Sequence, residues 1–336
     1  MTRTERLSDD AAEVLRAVVA PAPLDERLRA DRARRPSAPR DGSVAVGPVS
    51  TEDTVLDGPT GLALPVRVYR PAAGPDEGPR AVALPAVVYL PGGGWVFGDL
   101  DSHDAVPRAL CGAVGCAVVS VNYRRAPEHP FPAAADDALA ALDQVWERHR
   151  DLGIDPGRLA LAGDSAGATL AFGAAWRNAR RERPVPVALQ ALLYPVTDHE
   201  PATSSYADPT AHLYLSPADM RWSWEQYAPH ENDWNDPLLV PLKTPDPGLL
   251  PPTYVMTVEC DPLRDEGRQL AELLAQSGVD TVHDDVPGVF HGFLRWADRI
   301  PSARWAVESF HRTVAAALAP VDLTSPLEPE TGSTPS

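Results

Sequence analysis

The chain has 336 residues, of which 44% are hydrophobic and 23% are charged, as in an ordinary folded protein. Its formal net charge of −17 would repel a phosphate backbone, and no basic cluster offsets it, which argues against nucleic-acid binding. The longest apolar runs are far shorter than the roughly 20 residues that cross a bilayer, so the composition excludes a membrane-spanning helix.

The cysteines and the N-terminal residues favour a cytoplasmic protein. Cys111, Cys116 and Cys260 cannot form an even set of disulfides. The C-x4-C spacing of the first two, with no histidine pair nearby, is poor for a zinc site. Residues 8–13 are typical of a helix start with acidic residues in its first turn, not of the apolar centre of a secretion signal. We therefore expect reduced thiols and a cytoplasmic location.

The N-terminal region predicts helices followed by edge strands. Between residues 8 and 32, apolar residues recur at helical spacing and Pro21 and Pro23 interrupt them, which predicts two short helices. We expect residues 1–45 to form the N-terminal helices of a cap. The alternating pattern between about 43 and 70 predicts antiparallel strands at the edge of a sheet.

The middle of the chain predicts an α/β fold. Short continuous apolar runs are typical of strands covered on both faces of a parallel sheet, and they occur at 83–90, 117–121 and 159–162. We expect two further buried strands at 189–193 and 253–258 and a last strand near 281–286. Helical patterns stand beside them at 103–114, 133–149, 166–180 and 302–318. This alternation predicts right-handed crossovers in an α/β core of residues 46–195 and 251–319.

Two segments depart from this alternation. Residues 196–250 are rich in Pro, Asp, His and Trp, and we expect them to form an inserted helical lid that works with the N-terminal helices. Residues 320–336 contain too few apolar residues to bury a core, so we expect a disordered tail.

A serine between two glycines carries the chemical signal. Gly163-Asp164-Ser165-Ala166-Gly167 lies between an apolar strand and an Ala-rich helix, the context in which G-x-S-x-G indicates a nucleophile. The helix start also offers the Ala166 amide and the positive end of the helix dipole to a developing oxyanion. No Lys-Ser or Lys-Thr pair follows the glycines, which excludes a phosphate-binding P-loop.

A serine nucleophile needs a base and a group that orients the base, in the chain order Ser, Asp or Glu, His for this fold. Asp261 directly follows the strand predicted at 253–258, and we prefer it to the neighbouring Asp265 and Glu259 as the orienting carboxylate. His291 combines the right chain order with a glycine-flanked loop after the last strand, and we predict that it is the base.

A glycine run provides the predicted oxyanion site. Pro91-Gly92-Gly93-Gly94-Trp95 follows an apolar strand, and glycines allow backbone amides to approach a ligand closely. We expect the amides of Gly93, Gly94 and Ala166 to form an oxyanion hole, since one such donor is typically worth about 10² to 10³ in rate.

Together these motifs resemble the bacterial hormone-sensitive-lipase-like esterases of the α/β-hydrolase superfamily, over nearly the whole folded chain. Residues 261–267 (Asp-Pro-Leu-Arg-Asp-Glu-Gly) and 121–134 also match that family. The resemblance implies a mostly parallel eight-stranded sheet flanked by helices, with a helical cap and no metal or organic cofactor. It implies Ser165 as nucleophile, His291 as general base and acid, and Asp261 as its orienter. It also implies pairing through an edge strand or helix as a homodimer.

One residue departs from the family pattern. Pro91 stands where the family has a histidine before the glycines, and proline offers neither an N–H nor a side-chain hydrogen bond. Either other contacts hold the loop, or the site serves a different acyl chemistry. We therefore expect hydrolysis of an ester with a small or medium acyl group, with an amide deacetylase, acyltransferase or cyclase as the alternative. A non-catalytic binding protein is the third hypothesis, disfavoured because all three triad residues are present.

The substrate is expected to be a small molecule held by aromatic side chains. We predict that the pocket wall is formed by Trp95, Phe97, Tyr194, Trp222 and Trp224.

Overall fold

The structure is a computed structural model that describes residues 6–18, 23–33, 47–72, 82–199 and 202–320. Its eight strands are β1 Val49–Asp57, β2 Ala63–Pro71, β3 Leu84–Leu90, β4 Ala117–Val121, β5 Ile154–Asp164, β6 Leu189–Leu193, β7 Thr253–Cys260 and β8 Thr281–Phe290. They form one sheet in the order β1-β2-β4-β3-β5-β6-β7-β8. β2 pairs antiparallel with β1 and β4, and every other neighbouring pair is parallel. The predicted edge strands and mostly parallel eight-stranded sheet are confirmed.

Helices cover both faces of this sheet. The α-helices are α1 Asp9–Val18, α2 Leu24–Ala33, α3 Ala105–Val114, α4 Ala133–Glu147, α5 His149–Leu152, α6 Ala166–Ala179, α7 Ser204–Ala207, α8 Pro217–Tyr227, α9 Arg264–Gln276 and α10 Arg304–Ala317. Val88 and Leu161 pack into a buried layer with α4, α6 and α9, whereas Val87 and Ala160 pack on the opposite side with α1, α3 and α10. Successive side chains of a strand point to opposite faces of the sheet. A strand covered on both faces therefore needs a continuous apolar run to fill both buried layers.

β5 and β8 extend well beyond their predicted bounds, and the extra residues set the position of the site. β5 begins at Ile154, which pairs with Leu84 of β3, and it ends directly before Ser165. β8 continues to Phe290, which pairs with Cys260, and it ends directly before His291. The carboxyl ends of these parallel strands therefore meet at one edge of the sheet, where α/β folds bind their ligands.

The N-terminal helices pack against different parts of the core. At the start of α1, the Ser8 amide donates to the Gly288 carbonyl at 2.9 Å. In α2, Arg32 Nη1 donates to the Val96 carbonyl at 2.8 Å, which fixes this helix over the glycine loop. Residues 202–250 contain α7, α8 and three 3-10 helices, Glu231–Asp233, Pro241–Lys243 and Pro247–Leu249. Of the helices described, none has the length and apolarity needed to span a bilayer. The tail predicted at 320–336 falls outside the described residues from 321 onward.

Candidate active site

Ser165 occupies a sharp turn between β5 and α6, with φ 54° and ψ −124°. A side chain at Gly163 would collide with the Gly167 carbonyl, and one at Gly167 would collide with the Leu90 carbonyl. The turn is pinned to the sheet by the Ser165 amide, which donates to the Leu193 carbonyl at 2.8 Å. The two glycines thus permit a turn that leaves the serine hydroxyl at the edge of the sheet.

A chain of hydrogen bonds joins Ser165 to the two residues predicted to act with it. Ser165 Oγ lies 2.9 Å from His291 Nε2, and His291 Nδ1 lies 2.6 Å from Asp261 Oδ2. The exposed fractions of Ser165, His291 and Asp261 are 7%, 5% and 0%. The other carboxylate oxygen, Asp261 Oδ1, accepts from the Leu263 amide at 2.9 Å, which fixes the orientation of the carboxylate. This arrangement can transfer a proton from the serine to the imidazole.

The two alternative carboxylates have other partners. Asp265 accepts hydrogen bonds from the Ser204 hydroxyl and the Ser205 amide, which tie the start of α9 to α7. Glu259, in β7, accepts a hydrogen bond from the Gly288 amide of β8 at 2.9 Å. Only Asp261, of the three candidates, contacts His291.

The glycine loop lines the same cavity as Ser165. Gly93 and Gly94 have φ values of 116° and 60°, conformations that favour glycine. Side chains there would collide with the Phe97 carbonyl and approach the Ser223 hydroxyl. Among the described residues, the amides of Gly93, Gly94 and Ala166 have no hydrogen-bond acceptor. These three donors can therefore bind an oxygen atom of a bound molecule.

Two side chains hold the loop where it leaves β3. Asp164 Oδ1 accepts from the Gly92 amide at 2.9 Å and from the Tyr89 hydroxyl at 2.6 Å. The Tyr123 hydroxyl donates to the Pro91 carbonyl at 2.7 Å. Burial and the neighbouring Asp164 charge hold the pKa of Tyr89 well above its usual value, so its hydroxyl stays a donor. The loop is thus held by contacts that need no side-chain hydrogen bond from Pro91.

Two arginines hold the far end of the loop. Arg32 of α2 donates to the Val96 carbonyl and, through Nη2, to the Ala126 carbonyl at 2.9 Å. The Gly98 carbonyl accepts from Arg125. No sequence pattern used above indicates that Asp164, Tyr123 and these arginines hold the loop. An acidic residue at the buried end of a parallel strand is the one local signal that could have indicated Asp164.

The cavity at Ser165 has a volume of about 410 Å³. Of the five predicted wall aromatics, only Phe97 lines it. Trp222 stacks against Phe97 with ring centroids 5.6 Å apart, and Tyr194 meets His291 edge-on at 4.9 Å.

Trp95 and Trp224 are instead core residues, 0% and 2% exposed. Trp95 stacks on Tyr227 at 4.7 Å and tilts against Trp224 at 4.8 Å. Large aromatic rings stabilise a fold most when their apolar area is fully buried against other rings. This explains why Trp95 and Trp224 pack into the core and do not line the cavity. The side of the cavity formed by α8 and the residues just before it is lined by Tyr214, Leu215, Asp219, Met220 and Ser223.

Comparisons with known proteins agree with this geometry. A family model described as the α/β-hydrolase fold matches residues 87–295. The chain is 38% identical over 300 residues to Esterase LipI of Mycobacterium tuberculosis, covering 87% of this chain and 89% of that protein. It is also 38% identical to an ethyl acetate hydrolase of Pseudomonas putida, covering 82% of this chain and 86% of that protein.

A solved structure is similar as well. The esterase of Pyrobaculum calidifontis superimposes with a TM-score of 0.80 at 34% identity, covering 93% of this chain and 100% of that one. The sheet order, the strand-to-helix serine turn and these matches lead to one conclusion. The chain belongs to the α/β-hydrolase fold family, as its resemblance to the hormone-sensitive-lipase-like esterases predicts.

Proposed function

We propose that the protein is a carboxylesterase that cleaves esters of small or medium acyl groups through a Ser165 acyl-enzyme. The observation that carries this proposal is the continuous Ser165–His291–Asp261 hydrogen-bond chain, at 2.9 and 2.6 Å, beside a cavity of about 410 Å³. Relatives named as esterases, an ethyl acetate hydrolase and carboxylesterases support it.

The reaction has two halves. Ser165 Oγ attacks the ester carbonyl carbon while His291 Nε2 takes its proton, and the carbonyl oxygen becomes an oxyanion beside the amides of Gly93, Gly94 and Ala166. The C–O bond then breaks, and His291 gives its proton to the departing alcohol. A water molecule, deprotonated by His291, then attacks the acyl carbon of the acyl-enzyme. The bond from that carbon to Ser165 Oγ breaks, the carboxylic acid leaves, and His291 returns the proton to Ser165.

The cap is assigned on the same basis. Residues 196–250 and α2 supply Leu24, Leu215 and Met220 to the cavity that Ser165 shares. A cover over a nucleophile excludes water and shapes the acyl pocket. We therefore assign these segments as the lid, with 46–195 and 251–319 as the catalytic core.

The contacts of the glycine loop support ester hydrolysis over the alternative chemistries. The alternative reactions, amide deacetylation, acyl transfer or cyclisation, were suggested by the missing support at Pro91. Because Asp164 and Tyr123 hold the loop from either side, that reason is removed and ester hydrolysis is favoured.

Initial rates with p-nitrophenyl acetate, butyrate and octanoate test the proposal. We expect wild-type activity with a chain-length optimum at the short or medium esters. Ser165→Ala should lower kcat/KM by about 10⁴-fold or more, and the exposed control Ser50→Ala should leave it unchanged. Ester turnover that survives Ser165→Ala would contradict the proposal. Weak wild-type activity that rises sharply in Pro91→His would instead favour the alternative chemistries.

The cellular location and the oligomeric state of the enzyme are further proposals. We assign it to the cytoplasm, since its cysteines are buried, few and odd in number. Fractionation of the source cells tests the location. Light scattering tests the predicted homodimer.

A further inference from the structure

A guanidinium that forms no ion pair within the described residues lines the cavity at Ser165. Arg295 lies four residues after His291, at the cavity wall. Its Nη1 lies 3.4 Å from the Tyr214 hydroxyl and its Nη2 lies 3.4 Å from the Ser102 carbonyl. The Arg295 side chain also packs over the Trp296 ring, 4.9 Å from its centroid. Its Nε is buried and has no hydrogen-bond partner among the described residues.

The carboxylates of the same cavity are all engaged by the protein. Asp164 accepts from Gly92 and Tyr89. Asp219 forms the capping box of α8 with Ser216. The third, Asp31, pairs with Arg32 and Arg125 in two ion pairs at 3.0 and 3.2 Å. None of the three forms an ion pair with Arg295.

A second arginine at the cavity is in a similar position. Arg27 of α2 lies over the Phe97 ring, 5.3 Å from its centroid, and forms no ion pair within the described residues. Many other guanidinium groups in the described part of the chain do form ion pairs, for example those of Arg67 and Arg124. The cavity therefore holds two guanidinium groups that form no ion pair within the described part of the chain, while the hydrogen bonds of its three carboxylates come from other groups.

We propose that Arg295 binds a carboxylate of the substrate, so that the ester hydrolysed at Ser165 carries an acid group elsewhere in the molecule. This inference rests on the proposed esterase function. The planar guanidinium of an arginine suits charge-assisted binding of a carboxylate, and Arg295 reaches its two hydrogen-bond partners only through 3.4 Å contacts of its Nη atoms. Arg27 adds a second positive charge at the α2 side of the cavity and favours entry of an anion.

Two pairs of esters test the inference, one for each part of the substrate. Monomethyl glutarate carries a carboxylate on its acyl part, and methyl pentanoate is its neutral partner. The anion 4-acetoxybutanoate carries a carboxylate on its alcohol part, and butyl acetate is its neutral partner. Acid release in a pH-stat gives kcat/KM for each ester. The anionic member of at least one pair should be preferred by the wild-type enzyme.

Variants assign that preference to one side chain. Arg295→Gln should lower the anionic-to-neutral ratio of kcat/KM on the order of 10- to 100-fold, mainly through KM, because a charge-assisted hydrogen bond is lost. Arg295→Lys should restore part of the ratio. Arg299→Gln is the matched control. This exposed arginine belongs to the same 3-10 helix as Arg295, Phe293–Arg299, but it does not line the Ser165 cavity. Its ratio should equal that of the wild type.

The outcomes separate the two proposals. If the neutral esters are hydrolysed but neither anionic ester is preferred, or if the preference survives Arg295→Gln, the inference is wrong and the esterase function stands. If no ester of either pair shows Ser165-dependent hydrolysis, the proposed function fails instead. Should Arg295→Gln not fold, inhibition of the wild-type enzyme decides, because butanoate must inhibit butyl acetate hydrolysis more strongly than butyramide does.

Discussion

The proposed triad and the glycine loop lie at the same cavity but are held in different ways. Ser165, Asp261 and His291 each stand directly after a parallel strand, so the hydrogen bonds of the sheet fix their backbones. The glycine loop, residues 91–98, has no strand partner beyond Leu90 and is held by distant side chains. The difference shows that the reactive groups come from the sheet, whereas their electrostatic support comes from side-chain contacts.

A consequence for rates follows from this difference. Replacing a triad residue removes a reacting or orienting group and leaves the loop intact. Replacing a loop support leaves all three triad residues in place and shifts the oxyanion donors by a fraction of an ångström. The first kind of change should abolish chemistry, and the second should weaken it by degrees.

The largest effect is expected from Asp261→Asn. The amide keeps the volume but loses the charge that orients and stabilises the His291 imidazolium, so kcat should fall by about 10⁴-fold with little change in KM. Steady-state kinetics with p-nitrophenyl butyrate measures it. Asp265→Asn is the control, since this carboxylate binds Ser204 and Ser205, and its kcat should fall less than tenfold. Equal losses in both variants would contradict the assignment of Asp261.

Asp164→Ala should show the second-largest effect. It leaves the Gly92 amide and the buried Tyr89 hydroxyl without their shared acceptor, so the loop loses its anchor at β3. We expect kcat to fall on the order of 10²-fold, comparable with the loss of one oxyanion donor. Tyr89→Phe is the control, because it removes the hydroxyl but keeps the bond to Gly92. A kcat of Asp164→Ala within threefold of wild type would mean that the loop does not depend on this contact.

A smaller effect is expected from Tyr123→Phe. This change removes one hydrogen bond, the one to the Pro91 carbonyl, and leaves the ring in its buried place. A net hydrogen bond is worth about 1 kcal/mol, so kcat/KM should fall by roughly fivefold. An unchanged rate in Tyr123→Phe would mean that this hydrogen bond does not help to hold the glycine loop. It would contradict the account of the loop as a segment supported by side-chain contacts.

The buried His103, which lies against Gly98 of the glycine loop, predicts that the stability of the protein depends on pH. His103 is 4% exposed, and a side chain on Gly98 would collide with its ring. Burial, with the nearby Arg295 charge, lowers the pKa of His103 from 6.5 to about 4. Above pH 6.5 the imidazole is neutral in both states, so its full contribution to stability is present. Between pH 6.5 and 4 only the unfolded chain takes up the proton, and the free energy of unfolding falls by up to about 3 kcal/mol.

Denaturant unfolding at pH 7 and pH 4.5 measures this dependence. His103→Asn should reduce the loss of stability between the two pH values, whereas a matched change at the exposed His230 should leave it as in the wild type. An identical pH dependence in His103→Asn and wild type would show that His103 does not carry the effect.

The sequence predicts the triad better than its support, for a physical reason. The serine turn and the strand ends are local features, because flanking glycines and apolar runs mark them within a few residues. The hydrogen bonds that hold the loop join Asp164 to Gly92 and Tyr123 to Pro91, across 72 and 32 positions. No periodicity indicates such pairs before the fold brings them together.

The pocket wall shows the same limit. Trp95 and Phe97 stand two residues apart in one loop, yet the first is buried against Tyr227 and the second faces the cavity. Which ring enters the core depends on the packing of α8 over the loop, and that is a tertiary property. The arginine at 295 was missed because a single charge after the catalytic histidine has no meaning until its partners are known.

Covalent labelling of the serine tests the central claim most directly. A fluorophosphonate reacts with a serine that a neighbouring base activates, and the mass of the intact protein and of its peptides locates the adduct. The account predicts one adduct per chain, on Ser165, that is absent in Ser165→Ala and strongly slowed in Asp261→Asn. An adduct on another residue, or undiminished ester hydrolysis by the fully labelled protein, would contradict it.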